Sequence, residues 1–369
     1  MGITKFFQYT CVGFLSLVCV LLAVVVQHSL VPNGIEIGLQ ESDNRDGAFS
    51  PRELTDEEVA RYEFDGYLLV RGLLSVEEAL MLRKESELTV SRSFTIFDLF
   101  SSTAYGKLAF DLWRTNELIA RLSLQALPRT VVAKIMGKPV SSSEVGDLSS
   151  EITATVRKIR LLRDAFFQYS SDKTGCGWHV DDAGFWPAEH DTGGMTIWIA
   201  LDEMRVSEGG GLAIVNVNAV SDDFLKECRE VLAKGTCAIE ETHPECHKKF
   251  EQNKVQWDMN PGDAVLWDRW TFHRGVPAVD PSSRLNKIRY SVRYIPQEAK
   301  AKGFVHYSVP EGSEFQSPYY PQVWPSLLAE EVKALEHGLE NDASISPGNA
   351  GRILLYLKYK IGNLLGLLG

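Results

Sequence analysis

The chain has 369 residues and a net charge of −11, with 44% hydrophobic and 24% charged residues. That is room for one large globular domain or two ordinary ones. The acidic balance, with no long basic run to offset it, excludes a general nucleic-acid binder, because phosphate contacts need a basic face.

From Tyr9 to Val26 the chain is uncharged and mostly apolar, with Lys5 before it. The run is near the minimum length for a spanning helix and long for the apolar part of a signal peptide. Residues 1–28 are therefore expected to be a signal anchor, with a cleaved signal peptide as the alternative. The anchored form predicts a single-pass protein of the secretory pathway whose catalytic domain is lumenal. The cleaved form predicts a secreted or organellar protein. Residues 29–54 are polar and rich in Gly, Asn, Asp and Ser, a linker composition.

Thr55 with Glu58 and Ser75 with Glu78 each have the capping-box spacing, so a helix should start after Thr55 and another after Ser75. The apolar stretch from Gly66 to Gly72 between them reads as a strand. Residues 76–91 and 105–137 carry apolar positions at helical spacing. From about residue 156 the pattern changes to short strands, at 159–167, 195–201, 212–217, 255–259, 264–267 and 287–295, separated by glycine turns. This predicts a mainly β domain, a sandwich or barrel with flanking helices, over residues 55–325. The charged segment 219–253 interrupts the strands and is expected to be a surface insertion. In an oxidising lumen, Cys228, Cys237 and Cys246 lie close enough in sequence for one local disulfide. A zinc set of Cys237, Cys246, His243 and His247 is the weaker reading, since the spacing matches no standard zinc module. Residues 326–369 are expected to be a helical tail whose apolar end, Ile353 to Leu368, packs on the domain, with a membrane-surface helix as the alternative.

The chemistry concentrates in three residues. His179 and Asp181 are two apart, so on a strand both point to one side while Val180 points away. His273 lies downstream, after an apolar strand and Trp270-Thr271-Phe272. Two imidazoles and one carboxylate bind non-haem Fe(II) on one face and leave other coordination positions open. The last strand adds a second feature. Lys287, Arg289, Ser291 and Arg293 alternate with Ile288, Tyr290, Val292 and Tyr294, giving one cationic and one apolar face. An Arg on that face would hold a carboxylate in a two-pronged grip.

The chain resembles the phytanoyl-CoA dioxygenase family of Fe(II)/2-oxoglutarate oxygenases. The resemblance rests on Phe64 to Gly72, Ile159 to Phe167, Trp178-His179-Val180-Asp181, Trp198 to Asp202, Gly210-Gly211-Leu212, Pro261-Gly262-Asp263, Thr271 to Gly275 and Arg289 to Tyr294, in that order. It implies a double-stranded β-helix core of the jelly-roll, cupin-like kind. It also implies Fe(II) on His179, Asp181 and His273, and 2-oxoglutarate as co-substrate. A basic residue of the last strand would hold the far carboxylate: Arg293 first, then Arg289, then Lys287, with Arg284 in the preceding turn as a looser candidate. The implied activity is hydroxylation of a small-molecule or lipid-like substrate, with succinate and CO2 as co-products. Halogenation is disfavoured because Asp181 fills the position that chloride would need. Two other readings stay open: a non-catalytic, membrane-tethered β-barrel binding protein, and a cupin-like metalloenzyme that does not use 2-oxoglutarate.

Overall fold

A computed structural model describes residues 49–92, 106–138, 156–170, 175–181, 186, 188–189, 192–232, 239–280, 286–302, 309–317, 320–328 and 330. The N-terminal apolar run, most of the linker and nearly all of the C-terminal tail lie outside the described residues, as do Cys237 and Arg284. Among the described residues no helix is long and apolar enough to cross a membrane.

Both capping boxes form. Thr55 caps helix α1 (Asp56–Asp65), with the Thr55 and Glu58 side chains each bonded to the other's backbone. Ser75 and Glu78 make the same reciprocal pair at the start of α2 (Val76–Arg92). Each box satisfies two amides that the first helical turn leaves without partners. Gly66 ends α1 with φ of 72°, a left-handed cap that glycine adopts without strain. The chain then enters strand β1 (Tyr67–Val70).

The expected helix over 105–137 is corrected at its start. Residues Lys107–Phe110 form strand β2, which pairs with the outer half of β3 (Ile159–Ser170). Sheet pairing outweighs helical periodicity there. The helical segment begins only at Glu117 and runs to Ile135, through two π turns.

The remaining strands are β4 (Met195–Ala200), β5 (Leu212–Val215), β6 (Lys254–Gln256), β7 (Ala264–Asp268), β8 (His273–Gly275), β9 (Asn286–Pro296) and β10 (Gln322–Trp324). They build an antiparallel seven-stranded sheet in the order β1-β7-β4-β9-β3-β10, with β2 beside β3, and a three-stranded sheet in the order β6-β5-β8. Alternation along each strand divides the core in two. Ile197, Ile199, Leu266, Tyr290, Val292 and Tyr294 pack outward against α2 and the 117–135 segment. Trp198, Val265 and Trp267 point the other way, onto Leu212 and Ile214 of the smaller sheet. The two sheets thus face each other, as a double-stranded β-helix requires.

Asp263 of the Pro-Gly-Asp turn locks β1 to this frame, accepting bonds from Arg71, the Gly72 amide and the Asn260 amide. Gly262 has φ of 93°, and a Cβ there would meet the Leu74 carbonyl oxygen at 2.2 Å. No other residue type fits that turn.

The segment 219–253 folds into helices α3 (Asp222–Leu232) and α4 (Pro244–Gln252), with a short turn of helix at Ile239–Thr242. A disulfide joins Cys228 to Cys246, realising the expected local bridge. Cys246 is thereby removed from the zinc set. Cys176 is disulfide-bonded as well, which the spacing did not suggest.

Candidate metal centre

The chain brings His179, Asp181 and His273 together. One potential ligand atom from each lies within 4.8 Å of the others, and this is the only such cluster of three among the described residues. The convergence is built into the backbone. His179 and His273 form an isolated antiparallel bridge, His179 N to His273 O at 3.0 Å and His273 N to His179 O at 2.9 Å. The two rings sit with centroids 4.4 Å apart.

Both imidazoles are oriented in the same way. His179 Nδ1 lies 2.7 Å from the Gly177 carbonyl oxygen, and His273 Nδ1 lies 2.9 Å from that of Thr271. A carbonyl accepts, so each Nδ1 carries a proton, and in the neutral ring Nε2 then keeps its lone pair. Burial and then the neighbouring His273 push His179 down to about 4, so its ring is neutral at neutral pH. A neutral imidazole with Nε2 free is the form that binds a metal.

Asp181 divides its oxygens. Oδ1 lies 3.6 Å from His273 Nε2, inside the cluster. Oδ2 accepts from Arg293 Nε at 2.9 Å and from Trp186 Nε1 at 3.1 Å. Burial alone would raise this carboxyl, but the Arg293 guanidinium beside it outweighs burial and holds it far below the usual range. The carboxylate is therefore ionised, with one oxygen fixed and one facing the histidines. The donor set, its protonation and its aim all fit a divalent iron ion.

The three cations of β9 part company in the structure. Lys287 reaches the Glu203 carbonyl oxygen and Glu208 at the rim. Arg293, the first choice from sequence for the carboxylate anchor, is engaged with Asp181 and with the Ser291 hydroxyl. Arg289 is different. It is 3% exposed, and its guanidinium stacks on Tyr169 at 3.3 Å and Phe167 at 4.6 Å, with Trp198 at 5.6 Å. Stacking on these aromatic faces fixes the plane of the guanidinium on the inner face of the sheet. Two further groups went unnoticed in the sequence. Thr196 Oγ1 and Trp267 Nε1 are buried and, among the described residues, have no hydrogen-bond partner. They are cross-strand neighbours, and the Trp267 ring lies 4.8 Å from that of His273. Buried polar atoms without partners are rare, and two side by side next to the triad point to a polar ligand.

The sequence profile of phytanoyl-CoA dioxygenase (PhyH) matches residues 62–285. The chain belongs to the phytanoyl-CoA dioxygenase family. It is an enzyme of the non-haem iron, 2-oxoglutarate-dependent oxygenase class. Among solved structures, it is similar in fold to SnoK, a non-haem α-ketoglutarate-dependent carbocyclase of nogalamycin biosynthesis. The identity is 16%, over 73% of this chain and 96% of SnoK, with a TM-score of 0.51. A second match is HygX from Streptomyces hygroscopicus, solved with nickel and 2-oxoglutarate. Here identity is 15%, over 68% of this chain and 90% of HygX, at a TM-score of 0.45. No curated protein matches the chain. For this member of the phytanoyl-CoA dioxygenase family, the profile spans His179, Asp181 and His273 but stops short of Arg289 and Arg293.

Proposed function

We propose that this protein hydroxylates a small-molecule or lipid-like substrate, using Fe(II) held by His179, Asp181 and His273 and 2-oxoglutarate as co-substrate. The observation that carries the reading is the aim of the three side chains. Two Nε2 atoms freed by Nδ1 bonds face one carboxylate oxygen whose twin is pinned by Arg293 and Trp186. When bound, the iron and 2-oxoglutarate supply the oxidising power for O2 chemistry, with succinate and CO2 released. The protein's part is positioning. His179, Asp181 and His273 would hold the metal from one side, through the two Nε2 atoms and one carboxylate oxygen. Because Asp181 would supply a carboxylate ligand where a halide would otherwise have to bind, hydroxylation is favoured over halogenation.

Arg289 is proposed to anchor the far carboxylate of 2-oxoglutarate. It lies four residues from Arg293, roughly 13 Å along the strand. Both point to the same inner face, so a dicarboxylate could span from the triad toward Arg289. Thr196 and Trp267 are proposed to donate to the co-substrate or to its bound water.

The N-terminal run is proposed to anchor the domain on the lumenal side of a secretory membrane. The Cys228–Cys246 bridge supports an oxidising compartment, where such bonds persist. Carbonate extraction tests the anchor, and release of the protein into the supernatant would sink it.

The activity test uses purified protein with Fe(II), O2 and candidate metabolites, following succinate with and without 2-oxoglutarate. His179→Ala and Asp181→Ala should each abolish 2-oxoglutarate turnover while the fold survives. Full turnover in either variant rules out the ligand assignment. Bound iron without 2-oxoglutarate turnover favours the cupin-like alternative instead.

A further inference from the structure

Helix α4 of the 219–253 segment ends against both halves of the metal centre. Its residue Glu251 accepts a hydrogen bond from Trp178 Nε1 at 2.7 Å and an ion pair from Arg274 Nη2 at 2.8 Å, both on the same oxygen, Oε1. Trp178 immediately precedes His179, and Arg274 immediately follows His273. One carboxylate oxygen thus ties together the chain segments that carry two of the three proposed ligands. Oε2 is turned away, toward Lys254 at 2.6 Å.

The packing around this contact repeats the arrangement. Phe250, next to Glu251 and fully buried, lies edge-on to Trp178 with ring centroids 5.7 Å apart. It also lies 4.6 Å from Phe272, the residue before His273. The Arg274 guanidinium sits over the Trp178 ring at 5.3 Å. Val180, between His179 and Asp181, belongs to the same apolar cluster, together with Cys228 and Cys246. The disulfide closes that cluster from the far side by joining α3 to α4.

We propose that Glu251 is a positioning residue for the metal centre, acting as a clamp that sets the separation of His179 from His273 through Trp178 and Arg274. This rests on the metal-site reading above. The segment 219–253 is then more than a surface decoration, since its last helix supports the ligands from behind. A carboxylate suits the position because one of its oxygens accepts from the indole N–H while its charge pairs with the guanidinium. Loss of a partner that orients metal ligands characteristically weakens metal affinity ten- to a hundred-fold.

The test is titration of the metal-free full chain with Co(II), read by its visible absorption bands, alongside the melting temperature of the metal-free protein. Glu251→Ala should weaken Co(II) binding at least ten-fold and alter the absorption bands. Glu251→Gln, which keeps an acceptor for Trp178 but loses the charge facing Arg274, should fall between Glu251→Ala and wild type. Trp178→Phe keeps the ring and loses the donor, and should resemble Glu251→Gln. Both conservative variants keep the comparison readable should Glu251→Ala fail to fold. A merely structural role would lower the melting temperature while leaving Co(II) affinity and bands as in wild type. That result in the conservative variants overturns the clamp. Failure of wild type itself to bind Co(II) overturns the metal-site reading instead, so the two are separable.

Discussion

Replacing Arg293 with Met isolates the ion pair behind the metal centre. Asp181 and Arg293 have side chains 2% and 3% exposed, and they meet at 2.9 Å. Removing one partner of such a pair leaves an uncompensated buried charge, at about 3–5 kcal/mol. The Trp186 bond at 3.1 Å remains to Asp181, so the lower end, about 3 kcal/mol, is expected. In a domain of this size that is a fall in melting temperature of about 6–12 °C. The sign of the pH dependence follows from the carboxyl. In wild type Asp181 is held far below the unfolded value, so its contribution is fully present above that value and is constant from pH 5 to 8. In Arg293→Met the opposing guanidinium is gone and only the Trp186 bond favours the ionised form, so burial raises Asp181 above its unfolded value and the variant loses stability as pH rises through that window. The gap between the two proteins should therefore widen from pH 5 to pH 8. Urea unfolding of chelator-treated protein measures it, without interference from bound metal. Equal stability at pH 7.5, or a gap indifferent to pH, would refute the pairing. Arg293→Lys, which keeps the charge, should lose less.

The other perturbations probe separate parts of the molecule. Arg289→Ala should raise the Michaelis constant for 2-oxoglutarate roughly ten- to a hundred-fold, the equivalent of a charge-assisted bond of about 1.5–3 kcal/mol, and Arg289→Lys should rescue little of it. If Arg289→Ala leaves that constant unchanged while Lys287→Ala raises it, the anchor lies at the rim. Burial, with the nearby Asp111 charge, raises Asp164 to about 7 despite bonds from Tyr290 and from the Trp113 and Leu112 amides. Its folded value above the unfolded one means that stability falls as pH rises from about 4 to about 7. Asp164→Asn should flatten that slope, and an unchanged slope in chemical denaturation would exclude Asp164 as its source. Cleaving the Cys228–Cys246 bridge, 18 residues apart in sequence, by Cys228→Ser should cost about 3 kcal/mol in the chain-entropy description, read as a lower urea midpoint.

Much of this was legible in the sequence because it depends on local rules. The capping boxes at Thr55 and Ser75, the strand alternation of 287–295 and the two-residue spacing of His179 and Asp181 each involve neighbours along the chain. The alternation also predicted that Arg289 and Arg293 share a face. It could not say which of them meets Asp181, because that depends on how far the 179–181 segment reaches across the sheet. Trp186, Thr196 and Trp267 were invisible for a similar reason. An indole or hydroxyl in an apolar strand reads as core unless its missing partner is seen. Strand β2 was misjudged as helix because its pairing with β3 lies more than fifty residues away. Segment 219–253 reads as a surface insertion by its charge, and that charge hid Glu251, whose partners are Trp178 and Arg274.

The bridge between His179 and His273 has a consequence for the life history of the protein. Those residues are 273 − 179 = 94 positions apart, and each supplies the other's backbone hydrogen bond. Contacts this distant in sequence form late, after the chain between them has paid its loop-closure entropy. During synthesis the His179-Val180-Asp181 segment emerges well before its partner, so a ribosome-bound chain offers an incoming ion at most two of the three proposed ligands. On the proposed ligand set, a complete site would exist only once this long-range pairing has formed, and the ions of the compartment where folding ends would be those it meets.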